Sequence, residues 1–236
     1  QYNNGAGGFN AGGNIAGFYT TAGSSTTSLL DLAFVQFGPI TAGRAQSMFD
    51  FYADAFNNEL LRGSNATTNL LAYTATFGGG FSATLSVEDA YARRIAAAAA
   101  PLTYAGQRMP EIVGNLRVDQ AWGSAQLSGA IHQMNVMNQN AGVYLGTSYG
   151  WAVQGGVKIN LPMIAAGDTL WLQAAYGQGA NDFVGVTRAV NDTALFGRLR
   201  GAGGVGVVGV SDAWVGNGKV NKATSWSVLG SFVHNF

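Results

Sequence analysis

The stretch Tyr149-Gly150-Trp151-Ala152-Val153-Gln154-Gly155-Gly156-Val157-Lys158-Ile159-Asn160 decides the fold. Side chains of an extended chain point to alternate faces, so Trp151, Val153, Gly155, Val157 and Ile159 share one side while Ala152, Gln154, Gly156, Lys158 and Asn160 share the other. One side is apolar and the other is small and polar, and the run has the length that a tilted strand needs to cross a bilayer, about 9–11 residues.

The same pattern recurs on either side of this stretch. Leu170, Leu172, Ala174 and Tyr176 oppose Trp171, Gln173 and Ala175; Phe81, Ala83, Leu85 and Val87 oppose Ser82, Thr84, Ser86 and Glu88. Ile112, Gly114, Leu116 and Val118 oppose Asn115, Arg117 and Asp119, and Trp226, Val228, Gly230 and Phe232 oppose Ser225, Ser227 and Ser231. Weaker strands are expected at Leu29 to Phe37, Ile40 to Phe49, Thr68 to Phe77 and Gly123 to Met134, which brings the expected total to nine.

The connections alternate in length. Gly38-Pro39, Gly78 to Gly80, Gln120 to Trp122 and Leu161 to Gly167 are short, whereas Asp50 to Thr67, Ala90 to Pro110, Asn135 to Ser148 and Gln178 to Lys222 are expected to be long loops. Short turns at one rim and long loops at the other characterise outer-membrane barrels. An odd strand count would leave edges facing lipid, which a bilayer does not tolerate. The expectation is therefore a piece of a longer barrel, with Gln1 to Ser28 a long loop and Phe236 ending a strand at the short-turn rim.

Composition points the same way. Charged residues make up 10% of the 236 residues, formal net charge is zero and 35 residues are glycine, against about 25% charged and about 7% glycine in a soluble domain. So little charge leaves a water-exposed surface prone to association. The longest weakly polar tracts, Ile95 to Leu102 and Gly203 to Val210, fall far short of the roughly 18 residues of a membrane helix, which leaves the closed β-barrel as the membrane solution. Balanced charge offers no field for nucleic acid. The absence of cysteine removes disulfides and thiolate chemistry. Gln1 is neither an initiator Met nor the start of a signal peptide, so any targeting segment is expected to be missing from this chain.

Particular residues carry a resemblance. Leu32-Ala33-Phe34-Val35-Gln36-Phe37-Gly38, Ile40-Thr41-Ala42-Gly43-Arg44-Ala45-Gln46-Ser47 and Phe49-Asp50-Phe51-Tyr52-Ala53-Asp54 resemble the alphaproteobacterial general porins of the rhizobial and Brucella type. So do Leu70 to Gly78, Gly80 to Asp89, and Ser225-Trp226-Ser227-Val228 with Gly230 and His234. The resemblance is dense over Leu29 to Asp89, looser from Pro110 to Gly177 and weak elsewhere. It implies an all-β, sixteen-stranded porin of the bacterial outer membrane, assembled as a homotrimer among lipid and lipopolysaccharide and passing small hydrophilic solutes and ions passively. Matched by order, residues 1–236 form one barrel domain holding the fourth to twelfth strands.

In the family resembled, the loop after the fifth strand folds into the barrel and narrows it, and by strand order residues 50–67 are that loop. They carry Asp50, Asp54, Glu59 and Arg62 among Phe51, Tyr52 and Phe56; the aromatic rings are expected on the inner wall and the carboxylates facing the passage. The competing reading is an ordinary extracellular loop. A cation on the lipid face costs about 2–4 kcal/mol at the midplane, so Arg44 and Gln46, which share a face with Ala42, are expected to point inward, as are Asn115, Arg117 and Asp119, and Gln154 and Lys158. Arg44, Arg117 and Lys158 opposite Asp50, Asp54 and Glu59 would set a transverse field across the passage. The plainer alternative makes them salt-bridged wall residues.

Phe37, Phe77, Phe81, Trp122, Tyr149, Trp151, Tyr176, Trp226 and Phe236 fit the aromatic girdles of a barrel. His132 reads as a lumen residue and His234 as an interfacial one. The two histidines lack metal spacing and no G-x-S-x-G elbow occurs, so no catalytic residue, metal or cofactor is expected. Two rivals remain: a barrel enzyme with a His-based site at a rim, and a structural or adhesive barrel with a plugged lumen.

Overall fold

The computed structural model describes residues 9–20, 26–52, 63–93, 102–138, 141–185, 212–216 and 219–235. Thirteen strands occur among them: β1 (Phe9–Thr20), β2 (Thr26–Phe37), β3 (Ile40–Gln46), β4 (Thr67–Gly78), β5 (Phe81–Glu88), β6 (Leu102–Tyr104), β7 (Glu111–Gln120), β8 (Gly123–Asn138), β9 (Val143–Asn160), β10 (Thr169–Gln178), β11 (Ala213–Gly216), β12 (Lys219–Lys222) and β13 (Thr224–Val233). Ten of them pair antiparallel in one path, β1-β2-β3-β4-β5-β7-β8-β9-β10-β13; β6 joins the extended end of β8, and β11 with β12 forms a separate hairpin. Among the described residues β1 and β13 are the open edges of this sheet.

Where side chains are described, the strands at the centre of the sheet have an apolar exposed face and a largely polar covered one, the inverse of a water-soluble sheet. Along β5, Phe81, Leu85 and Val87 are exposed while Thr84, Ser86 and Glu88 are buried. Along β8, Leu127 and Ile131 are exposed while Ser124, Gln126, Ser128 and His132 are buried. Register carries these faces across the sheet. Ser82, Arg117, Gln126, Gly156 and Gln173 form one polar row through successive partners, and Ala83, Leu116, Leu127, Gly155 and Ala174 form the neighbouring apolar row. A slip by one residue would exchange the two faces. Several aromatic side chains near strand ends stand on the apolar side, Phe37, Phe77 and Trp226 being about 70% exposed; Phe236 lies outside the described residues.

Packing is confined to the polar face, where connections from the long-loop rim lie against it. Phe49, Val113, Ala130, Ala152, Ala175, Ala180, Phe183 and Val184 form the largest buried cluster, drawn partly from the wall and partly from two loops.

The structure departs from the sequence expectations in three places. Residues expected as a loop within Gln1 to Ser28 contain β1, which pairs with β2 from Phe9 opposite Phe37 to Thr20 opposite Thr26; ten strands therefore line the path where nine were expected. The expected long loop from Asn135 to Ser148 is taken up by the strands themselves, which go on pairing to Asn138 and Val143 past an irregularity at Val136/Met137. Within Gln178 to Lys222 a short hairpin, β11 and β12, packs Ala213 and Val220 against Met134 and Val136 at that extended end.

Candidate functional site

β3 ends at Gln46, and the chain then turns onto the polar face. The wall side chains beneath it hold its backbone in sequence. Asn115 Nδ2 donates to Met48 O at 2.6 Å, Gln154 Nε2 to Phe49 O at 3.1 Å and Gln126 Nε2 to Asp50 O at 3.2 Å. The Tyr52 amide donates to Gln173 Oε1 at 3.1 Å, and the Tyr52 hydroxyl lies 3.0 Å from Ser231 Oγ. Met48 to Tyr52 thus crosses β7, β8, β9, β10 and β13. Glycine makes the approach possible, since a Cβ at Gly156 would collide with the Phe51 ring. Phe51 and Tyr52 pack on Trp171 with ring centroids 5.2 and 4.8 Å apart.

Three connections are fastened here by buried charge. Arg93, in the short 3-10 turn Ala90–Arg93, is fully buried, with Nη2 2.8 Å from Asp50 Oδ1 and Nη1 3.5 Å from Asp182 Oδ2. Its guanidinium lies 4.2 Å from the centre of the Phe183 ring. Burial pushes its pKa down, but the carboxylates of Asp50 and Asp182 push it up further, and the net shift is upward. Asp50 also accepts from the Ala66 amide at 2.7 Å, from Arg93, from Ser64 Oγ and from Gln46 Nε2. A buried carboxylate needs partners of this kind in place of water. On the wall His132 Nδ1 meets Glu111 Oε1 at 2.6 Å, and its Nε2 lies 3.7 Å from Asp212 Oδ2, which ties the far end of the connection after β10 to the same face. Glu88 Oε1 accepts the Met48 amide at 2.9 Å.

The residues singled out from sequence are placed unevenly. The Asp50 side chain is buried and paired with Arg93, a cation that the next connection brings to it. Asp54, Glu59 and Arg62 lie outside the described residues. Arg44 pairs with Ala33 and Asn69, on the parity of Ile40 and Ala42 and opposite to buried Thr41 and Ala45. That is the apolar face of the sheet, two residues from the end of β3, where a long side chain reaches beyond the apolar band. Gln46 shares that parity, but sits at the strand end and its amide turns to the loop root, on Asp50 and Asn65. Arg117, Asp119 and Lys158 stand on the polar face. Arg117 grips Asp119 with two 2.8 Å contacts and lies 5.7 Å from the Phe51 ring centre.

A cavity of about 400 Å³ remains between the loop root and the wall, with Gln36, Thr41, Asp50, Thr84, Asn115 and Arg117 on its surface. Among the described residues no group of three His, Asp or Glu side chains is arranged to hold a metal ion, and no helix is long and apolar enough to cross a membrane. Sequence reasoning missed Arg93, whose partners lie 43 and 89 residues away. It also took the residues of the β11–β12 hairpin as part of a long loop.

Comparison with known proteins agrees with this geometry. Porin Omp2b of Brucella canis and of Brucella abortus (strain 2308) are each 26% identical over 200 residues, an overlap that takes in 81% of this chain and 50% of the relative; Porin Omp2b of Brucella suis biovar 1 matches to the same extent. The chain therefore spans about half the length of the curated relatives it matches. The crystal structure of the outer membrane channel DcaP of Acinetobacter baumannii shares the fold, with a TM-score of 0.55 at 18% identity over 76% of this chain and 50% of that one. With an inverted antiparallel sheet, a loop tied across its polar face and a profile for the porin subfamily that matches residues 6–235, this chain belongs to the porin subfamily.

Proposed function

We propose that the sheet is part of the wall of an outer-membrane pore that lets small hydrophilic solutes and ions diffuse passively. The observation that carries this reading is the inverted polarity: a continuous apolar face fit for lipid, and a polar face that would line water. An open sheet cannot stand in a bilayer, so in the working pore these ten strands belong to a closed barrel, for which the family resemblance suggests sixteen strands and a homotrimer.

Residues 50–67 form the constriction. The described stretch at its start, Met48 to Tyr52, lies on the polar face, with Phe51 and Tyr52 packed on Trp171 and six wall residues, Glu88, Asn115, Gln126, Gln154, Gln173 and Ser231, bonded to it. Its width is fixed by the Asp50–Arg93–Asp182 clamp, and the charges left to act on passing ions include Arg117, Asp119 and Lys158. The enzyme reading finds no support at His132, which is fully buried between two carboxylates. Liposome swelling tests the proposal. Vesicles holding the full-length protein should swell in isotonic solutions of small sugars, at rates that fall as the sugar grows; vesicles that swell no faster than empty ones would overturn it.

A further inference from the structure

At the short-turn rim a pocket of about 570 Å³ opens on the polar face. Trp171 lines it. The indoles of Trp151 and Trp226 point to the apolar side, whereas Trp171 shares the polar side with its register partners Lys158 and Ser231. Lys158 Nζ lies 5.1 Å from the centre of the Trp171 ring, and among the described residues it forms no ion pair. Ser124, the partner of Lys158 across β8 and β9, is 3% exposed, and its Oγ has no hydrogen-bond partner among the described residues. A buried hydroxyl without a partner is uncommon. Arg117 lines the same pocket, but Asp119 already occupies its guanidinium; Lys158 is the cation of the pocket that is held by no carboxylate contact among the described residues.

We infer that this pocket binds small organic monocarboxylates with a planar apolar body, the carboxylate on Lys158 and Ser124 and the body along Trp171. A carboxylate gives the ammonium a charge-assisted hydrogen bond, a stronger partner than a half-exposed ring. It also satisfies the Ser124 hydroxyl. The volume exceeds what a bare ion fills and falls among those of small-molecule sites. Asp119 beside the pocket repels a second negative charge and so disfavours dianions. The inference deepens the pore reading, since it places a solute subsite at the mouth of the proposed passage.

Titration calorimetry on the full-length protein folded in detergent, with benzoate, benzamide and acetate as probes, tests it without requiring a pore. Benzoate should bind at one site, the neutral benzamide should not, and acetate should bind about tenfold more weakly for want of the ring contact. Lys158→Gln and Ser124→Ala should each weaken benzoate, the first by about tenfold or more, while Lys158→Arg retains most of the affinity and Trp171→Leu brings benzoate down to acetate. Equal binding of benzoate and benzamide, unchanged binding in Lys158→Gln, or no heat from folded wild-type protein would each overturn the site. Channel recordings on the same preparation separate the two proposals: channels without benzoate binding sink the subsite alone, and benzoate binding without channels sinks the pore reading alone.

Discussion

Arg93 Nη2 lies 2.8 Å from Asp50 Oδ1, and neither side chain reaches solvent. The two residues come from different connections, one after β3 and one after β5, so the pair holds the loop across the polar face from above as the wall holds it from below. A buried pair is costly to assemble and costlier to break, since removing one partner strands the other.

Arg93→Met should therefore remove the cation that the buried Asp50 and Asp182 carboxylates share and weaken docking of the loop by about 3–5 kcal/mol. In single-channel recordings the expected sign is open-channel current fluctuation absent from the wild type, with β content by circular dichroism unchanged. Quiet channels in Arg93→Met would show that the clamp does not set the loop.

The two faces of the sheet at β7 and β8 should respond in opposite ways to charge. Leu127 is 55% exposed on the apolar face, and Leu127→Arg should cost about 2–4 kcal/mol of stability in lipid vesicles, by urea unfolding. Arg117 stands one row away on the polar face, opposite Gln126, and Arg117→Leu should leave insertion intact. Equal penalties for both would mean that the faces are assigned wrongly.

Ion preference separates the register from the sequence expectation for Arg44. Removing a cation from the polar face makes the passage more negative, so Lys158→Gln should raise cation preference in reversal potentials under a salt gradient. The shift should shrink as the Debye length falls from about 10 Å at 0.1 M to about 3 Å at 1 M salt. Arg44→Ala should not move the potential, because Arg44 is on the apolar parity; a shift as large as that of Lys158→Gln would restore the inward reading.

Most of the sheet was legible because the bilayer demands a strict alternation, and alternation is local. β7, β9, β10 and β13 announce themselves by it. β1, Phe-Asn-Ala-Gly-Gly-Asn-Ile-Ala-Gly-Phe-Tyr-Thr, does not: glycine and asparagine dilute the pattern, and only its pairing with β2 makes it a strand. The polar face of Arg117, Asp119 and Lys158 follows from parity, whereas Arg44, on the face of Ala42, was expected inward because of its charge, and the register puts that face on the apolar side. The clamp had no local signal at all, since Arg93, Asp50 and Asp182 meet only when three connections fold onto one face.

At the short-turn rim Asp168 accepts the Asn235 amide at 2.9 Å and His234 Nδ1 at 2.8 Å, and these contacts, the backbone amide first, hold its carboxyl below the ordinary value of 3.8. A carboxyl depressed on folding stabilises above its unfolded pKa and loses that contribution as pH falls through the folded one. Protection of the Asn235 amide from hydrogen exchange should therefore hold at neutral pH and decline below about 3.8. In Asp168→Asn it should be low at both; protection unchanged by the substitution would remove the clasp.

The central claim, that the polar face lines a water-filled passage, is tested most directly by planar-bilayer recording of the full-length protein. The account predicts stepwise current increments in potassium chloride whose size rises with salt concentration. A protein that inserts as folded β structure yet gives no discrete steps would contradict it.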